Sequence, residues 1–334
     1  MLCPGGEALT TEKVRVSSGS AAVLGLLHLG LTDAPPTTAY LLLGGRCRFD
    51  CRFCAQARSS DSRTDLLSRV TWPEYDVEAV LRGLQSAYAR RAILRCCLQV
   101  TGAAGAEELA LSVVRLIHAN CAVPLCVSIR TDRLAVVDSL LEGGAERVTL
   151  AVDAACGPAY DRVKGAGGFR SALDGLWRAA ERFPGRIGTH IMVGLGETEQ
   201  EAAQLLQACE DRGVGTALFA FTPIPGTAMA AEAQPSIDSY RRVLVARHLI
   251  VRHLARADEM RFVDGRLVAY GLPRSELALL LADGEAFRTS GCPDCNRPYY
   301  NERPTGPFYN YPRALRPAEA AEVVSRFLAT IEDA

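Results

Sequence analysis

The 334-residue chain has no run of about 18 apolar residues, so it offers no membrane-spanning helix. Its start, MLCPGGEALTTEKVRV, lacks the charged head and apolar core of a secretory leader, and the expected location is the cytoplasm. An excess of charge is missing too. Lys and Arg number 37 against 38 Asp and Glu, leaving a net charge of -1. Neither nucleic acid nor a membrane surface is therefore expected as a partner. Low-complexity linkers and strong internal repeats are also absent.

What the chain does have is cysteine, twelve in all. A reducing cytoplasm keeps thiols free, so a disulfide framework is not expected. Metal binding, catalysis or apolar packing must account for them. Cys121, Cys156 and Cys209 sit in helix-like or loop segments and read as small apolar packing residues.

Short apolar runs alternate with helix-like segments along the chain. AYLLLGG, AILRCCLQVT, AVPLCVSIR, RVTLAVD, GTHIMVGLG and GTALFAFT read as strands. DVEAVLRGLQSAYARR, AEELALSVVRLIHAN and ETEQEAAQLLQACEDRG carry apolar residues at helical spacing. Strands separated by helices imply βαβ units and a parallel sheet. Two weaker candidates, EMRFV and GEAFRTS, raise the strand count to eight. The expected fold is α/β, a (β/α)8 TIM-type barrel; six strands with an appended C-terminal segment is the competing closure. The expected divisions are an N-terminal extension over 1–38, a barrel over 39–290 and a cysteine-containing tail with a closing helix over 291–334. The segment before Tyr40 reads as peripheral.

LGGRCRFDCRFCAQA follows the first strand of that barrel and carries Cys47, Cys51 and Cys54. Barrel active sites gather at the C-terminal ends of the strands. Three thiolates hold three irons of a [4Fe–4S] cluster and leave the fourth open to a small bidentate ligand. A zinc site completed from elsewhere is the other reading of the same spacing.

Cys47, Cys51, Cys54 and the aromatic Phe53 resemble the signature of the radical S-adenosylmethionine (SAM) superfamily. That resemblance implies a [4Fe–4S] cluster, SAM as cofactor, and a 5′-deoxyadenosyl radical that takes hydrogen from unactivated carbon. It also implies SAM contacts at Asp153, whose carboxylate ends the RVTLAVD strand, at Gly194, Gly196 and Glu197 of HIMVGLGET, and at Pro223 of FAFTPIPGT, with Thr222 and Pro225 beside it. Gln99 and Thr101 are the polar side chains of LQVTGAAG, a further candidate contact.

Within the superfamily the chain is most similar to the biotin-synthase-like group, from about Leu41 to Cys292. The resemblance implies a second iron–sulfur cluster deep in the barrel. Strand two offers Cys96 or Cys97 to it, strand three Cys126 and strand seven Arg261. Gly188 stands at the strand-five cysteine position, with His190 two residues on, and Ala151 replaces the asparagine implied for a ureido substrate. These departures count against a literal biotin synthase. The tail SGCPDCNRPYYNERPTGPFYNYPR adds Cys292 and Cys295, flanked by Asn296, Arg297 and Arg303, after the eighth strand candidate and so at the mouth. A Cys-x2-Cys turn suits a metal, and Cys3, Cys97 or Cys126 could complete its ligands.

The leading expectation is a sulfur-inserting radical SAM enzyme of lipoyl-synthase-like (two-protein) or biotin-synthase-like type, with an octanoyl chain favoured over a dethiobiotin-like ring. Its expected partners are a small-molecule or lipoyl-domain-bound acyl substrate, an electron donor of flavodoxin or ferredoxin type, and a second radical SAM protein. The alternatives are a radical SAM rearrangement or cofactor-maturation enzyme without sulfur transfer, and a zinc or iron–sulfur binding protein without radical chemistry.

Overall fold

The computed structural model describes residues 12–30 and 33–333. Cys3 lies outside the described residues. The strands are β1 Lys13–Val16, β2 Thr38–Leu43, β3 Leu66–Leu67, β4 Val70–Thr71, β5 Glu74–Asp76, β6 Arg95–Val100, β7 Leu125–Ile129, β8 Arg147–Leu150, β9 Ile187–Val193, β10 Gly215–Ala220, β11 Arg261–Val263 and β12 Arg266–Ala269. The helices are α1 Ser18–Val23, α2 Val77–Ala89, α3 Ala106–Asn120, α4 Leu134–Glu142, α5 Gly157–Lys164, α6 Phe169–Arg182, α7 Glu199–Glu210, α8 Ile237–Val251, α9 Arg274–Leu280 and α10 Pro317–Leu328.

The main sheet runs β10-β9-β8-β7-β6-β2-β1-β5. Its six strands from β10 to β2 are parallel, and β1 and β5 add antiparallel at the β2 edge. The α/β class and the six expected barrel strands are all present. Strand alternation sorts the side chains. In β7, Leu125, Val127 and Ile129 enter the apolar core, which α3 and α4 also line. Cys126 and Ser128 take the opposite face. In β9 the sequence GTHIMV alternates in the same way, with Gly188, His190 and Met192 on the inner side.

Two strand expectations are corrected. EMRFV does form a strand, β11, but it pairs antiparallel with β12 in a separate two-stranded sheet. Asp264 and Gly265 both have positive φ, 49° and 78°, so an Asp-Gly turn folds the chain back into a hairpin before it can join the barrel. GEAFRTS is a single 3-10 turn, Glu285–Phe287. Phe287 is spent on the core, edge-on to Phe327 of α10 at 5.5 Å. The segment before Tyr40 is not peripheral along its length, since β1 lies between β2 and β5. Arg15 of β1 reaches the carbonyls of Gly44 and Thr64.

Six strands leave a seam between β10 and β2, and the C-terminal segment fills it. Ser290 Oγ accepts from Leu218 N of β10 at 2.8 Å, and Arg297 donates to Leu218 O at 3.3 Å. On the β2 side Asn296 Oδ1 accepts from Thr37 N at 3.0 Å, and Asn296 Nδ2 donates to Pro35 O at 2.9 Å. Arg95 Nε donates to Pro293 O at 3.1 Å. Thr37 and Arg95 lie at the N-terminal ends of β2 and β6, so the Cys292–Cys295 loop sits at the foot of the sheet. Farther along, Asn301 O accepts from Gln234, which also binds Thr222 beyond the far end of β10. The segment therefore climbs the seam from foot to mouth. Asn296→Ala removes both side-chain bonds to the β2 side and leaves Thr37 N–H and Pro35 O without them. The expected cost is about 1–3 kcal/mol, read by denaturant unfolding; an unchanged midpoint would show that the seam is held elsewhere.

Candidate active site

One cavity of about 370 Å³ occupies the inner face of the sheet. Residues of β2, β6, β8, β9 and β10 all line it, together with Cys292, Cys295 and Arg297 from the seam segment. The sheet is thus curled around a common interior, a geometry suited to a buried ligand.

At the C-terminal end of β2 the loop turns tightly through the three cysteines. Cys54 N bonds Cys51 O at 3.0 Å, and Cys47 N bonds Gln56 O at 3.0 Å. All three thiols are free and half-buried. Gly102 N donates to Cys47 Sγ at 3.2 Å, and Arg130, the residue after β7, donates to Cys51 Sγ at 3.4 Å. A Cβ on Gly102 would lie 2.9 Å from Cys47 Sγ and 2.5 Å from the Phe49 ring, so only glycine fits against this loop. Burial raises the Cys51 thiol and pushes Cys54 up to about 12. Metal binding must therefore displace protons from both.

Among the described residues no group of three His, Cys, Asp or Glu side chains is arranged to hold one metal ion. That is a poor match to zinc. A cube-shaped cluster gives each thiolate its own iron, so its ligands need not converge on one point. Free thiols and N–H donors aimed at two of the sulfurs fit the cluster.

The other expected SAM contacts divide. Phe53, Gln99 and Asp153 line the cavity, whereas Thr101 lines a smaller one beside Arg48 and Arg130. Thr101 Oγ1 is buried without a hydrogen-bond partner. Glu197 accepts from Gly194 N at 2.6 Å and Leu195 N at 2.9 Å, which holds the turn after β9. Gly194 and Gly196 have φ of 101° and 110°, and the turn needs both. Pro223 and Thr222 are not on the cavity wall. Their loop instead packs on the cysteine loop, where Ser62 Oγ donates to Pro225 O at 2.6 Å and Asp61 N to Gly226 O at 2.8 Å. Asp153 is held by Lys164 at 2.6 Å, and Lys164 also donates to Ala151 O at 2.7 Å. Lys164 was missed in the sequence, although it is one of only two lysines in the chain.

The family model for the radical SAM superfamily matches residues 41–209, half of the chain and the part that carries these loops. The chain belongs to the radical SAM superfamily. It is 25% identical to a biotin synthase of Desulforudis audaxviator (strain MP104C) over 227 residues, 66% of this chain and 65% of that protein. Among solved structures it is similar to the [FeFe]-hydrogenase maturase HydG, with TM-score 0.53, 14% identity, and coverage of 66% of this chain and 51% of that one. It is also similar to methylornithine synthase, with TM-score 0.52, 12% identity, and coverage of 65% and 62%. At these identities the solved structures speak to the fold alone.

A second group of cysteines in this radical SAM protein lies at the foot of the cavity. Strand register puts Tyr40, Cys97, Cys126 and Arg147 in one row across β2, β6, β7 and β8. The choice between Cys96 and Cys97 is thereby made. Cys97 lines the cavity, and Cys96 faces the apolar core. Cys126 Sγ and Cys292 Sγ are 3.5 Å apart, and Tyr40 Oη is 3.3 Å from Cys295 Sγ. Tyr40 Oη also accepts from Arg297 N at 3.1 Å, so the hydroxyl ties the Cys295 thiol to the Arg297 backbone. Arg95 donates to Cys126 Sγ at 3.2 Å. The shared hydrogen bond holds the proton on Cys126 and lowers Cys292, and Arg95, Arg147 and Arg297 add to that lowering.

Three expectations about this group are corrected. Cys292 and Cys295 lie at the foot of the strands rather than at the mouth, because GEAFRTS does not form the strand expected to carry them there. Arg261 is exposed on the β11 hairpin and paired with Glu332 at 2.7 Å, and it is not on the cavity wall. Arg303 is exposed and is not on the cavity wall, whereas Arg297 lies over the Phe219 ring at 3.8 Å and Asn296 is spent on the seam. His190 lines the cavity and stacks edge-on with Phe219 at 4.9 Å. Burial lowers it to about 4, so it is neutral at physiological pH.

Lys164→Met removes the partner of Asp153 within a buried ion pair whose side chains are 1% and 14% exposed. The expected loss is about 3–5 kcal/mol of stability, measured by denaturant unfolding; a loss under 1 kcal/mol would mean that Asp153 is solvated or protonated there.

Proposed function

We propose that this radical SAM enzyme inserts sulfur at unactivated C–H positions, with an octanoyl-type chain favoured over a dethiobiotin-like ring. The observation that carries the reading is the gathering of Cys97, Cys126, Cys292 and Cys295 at the foot of the strands, while Cys47, Cys51 and Cys54 occupy the loop beyond the C-terminal end of β2. Gly102, which touches Cys47, lies two residues beyond the end of β6 and five beyond Cys97, a span of at most roughly 16 Å for extended chain at ~3.3 Å per residue. That leaves room for a cofactor and a substrate between two iron–sulfur sites.

SAM and an upper cluster would supply a 5′-deoxyadenosyl radical able to take hydrogen from carbon, and a lower cluster would supply sulfide. The residues of this chain set the stage for that chemistry. Cys47, Cys51 and Cys54 hold the upper cluster, and Phe53, Gln99 and Asp153 bound the space beside it. Cys97, Cys126, Cys292 and Cys295 hold the lower one. Arg95 and the Tyr40 hydroxyl donate to its thiolates, as such ligands require. Neutral His190 gives the middle of the cavity a polar contact without a charge. The seam segment keeps water from the foot. An electron donor of flavodoxin or ferredoxin type reduces the upper site, and the exposed Arg48 and Arg52 of its loop suit an acidic surface. A lipoyl-type product brings a second radical SAM protein as a further partner.

Anaerobically reconstituted wild type is expected to hold two clusters. Cys51→Ala should lose one cluster and all SAM cleavage. Cys292→Ala should lose the other cluster and sulfur transfer while still cleaving SAM. Equal iron and sulfide in wild type and folded Cys292→Ala would remove the lower site. Acid-labile sulfide of wild type should fall in step with product. A full sulfide count after product has formed would favour a radical SAM rearrangement or maturation enzyme instead.

A further inference from the structure

The cations around the cysteine loop are used in different ways. Arg46 donates to the carbonyls of Ala55, Ala57, Ser60 and Ser62 and so shapes the loop. Arg58 faces Asp50 at 3.7 Å on the surface. Lys164 and Arg130 both act electrostatically on Cys51 from outside the loop. Lys164 is matched by Asp153 at 2.6 Å, so its charge is largely cancelled. Arg130 is not matched. Among the described residues it makes no ion pair: Glu107, on the wall of the same small cavity, is taken by Arg133 at 2.7 Å, and Asp132 of that wall lies beyond ion-pair distance.

The Arg130 guanidinium is nevertheless held in one place. Its centre lies 3.9 Å over the Phe49 ring. Nη2 donates to Tyr160 Oη at 3.5 Å, and Nη1 donates to Cys51 Sγ at 3.4 Å. The Phe49 ring is itself seated against Gly102, where a Cβ would come within 2.5 Å of it. Strand β7 delivers Arg130 to this point, since it is the residue directly after Ile129. An uncompensated cation is thus fixed beside one sulfur of the trio.

We propose that the positive charge of Arg130 sets the reduction potential of the iron–sulfur site on Cys47, Cys51 and Cys54. The site takes one electron from a donor of flavodoxin or ferredoxin type, and no atom is transferred. Three thiolates already make it anionic, so the electron adds charge of the same sign. A fixed guanidinium at a thiolate therefore stabilises the reduced form more than the oxidised form and raises the potential. Hydrogen bonds to the sulfurs are a known lever on such sites, and the low dielectric of a half-buried loop strengthens the attraction. Arginine suits the task because it keeps its proton. Arg130 acts through the Cys51 sulfur and is a positioning residue. Its role requires the superfamily's cluster at the mouth and is independent of what the enzyme does with the radical.

The test is an anaerobic redox titration of full-length reconstituted protein with dithionite and mediators, followed by the EPR signal of the reduced cluster. The response of that signal to SAM identifies the upper site. At the wild-type midpoint, Arg130→Met should show a ratio of reduced to oxidised site at least tenfold lower, which is a fall of about 59 mV for one electron. Arg130→Lys, which keeps the charge, should fall less. Should Arg130→Met fail to take up iron, Arg130→Gln, polar and uncharged, carries the same expectation. An uncharged variant that holds its iron, responds to SAM and titrates with wild type overturns the assignment. Equal falls in Arg130→Met and Arg130→Lys overturn the charge as its cause. Loss of sulfur transfer with the potential unchanged would speak to the proposed reaction and not to Arg130.

Discussion

Six parallel strands cannot enclose a cavity, and the hydrogen bonds that bridge β10 to β2 are the constraint on which the site depends. Edge strands present unpaired N–H and C=O groups that must be satisfied when buried. On the β10 side the satisfying groups come from the tail, Ser290 and Arg297; on the β2 side β1 pairs the strand and Asn296 holds Pro35 and Thr37 just before it. The same contacts that seal the seam carry Cys292 and Cys295 into the interior. Closure of the fold and assembly of the lower cysteine group are therefore one event.

Charge inside the chamber follows from that closure. The lower thiols are ringed by Arg95, Arg147 and Arg297, and each guanidinium is itself fixed or counterbalanced. Arg95 pairs with Glu146 at 3.1 Å, and Arg297 is stacked on Phe219 and bonded to backbone carbonyls. Arginine suits this duty because it stays charged when buried and donates in several directions. Near the mouth a lysine takes the role, locking Asp153 at the end of the fourth barrel strand. The foot of the cavity is thus positively biased around sulfur.

Much of this was legible along the chain. The cysteine triad is local: its spacing and its place after an apolar run depend on a few adjacent residues, and both survive in the structure. The six strands read correctly because each is a run of β-branched and aliphatic residues between helices of clear period. The failures have local causes as well. EMRFV was read without the Asp264–Gly265 turn, which sends it into a hairpin. GEAFRTS is too short for periodicity to separate strand from turn. Arg261 fell with the strand that was meant to carry it. Lys164 and Tyr40 were overlooked because their partners, Asp153 and Cys295, are joined to them only by folding.

The sequence by itself determined the superfamily, the strands of the parallel sheet and the three thiolates at its mouth, because those properties reside in contiguous residues and their spacing. Tertiary structure alone decided which strand-two cysteine faces inward and that Cys292 and Cys295 meet Cys97 and Cys126 at the foot. The reason is that strand alternation fixes only relative faces. Which face becomes an interior, and which distant segment closes it, is set by contacts between residues as far apart in sequence as Thr37 and Asn296.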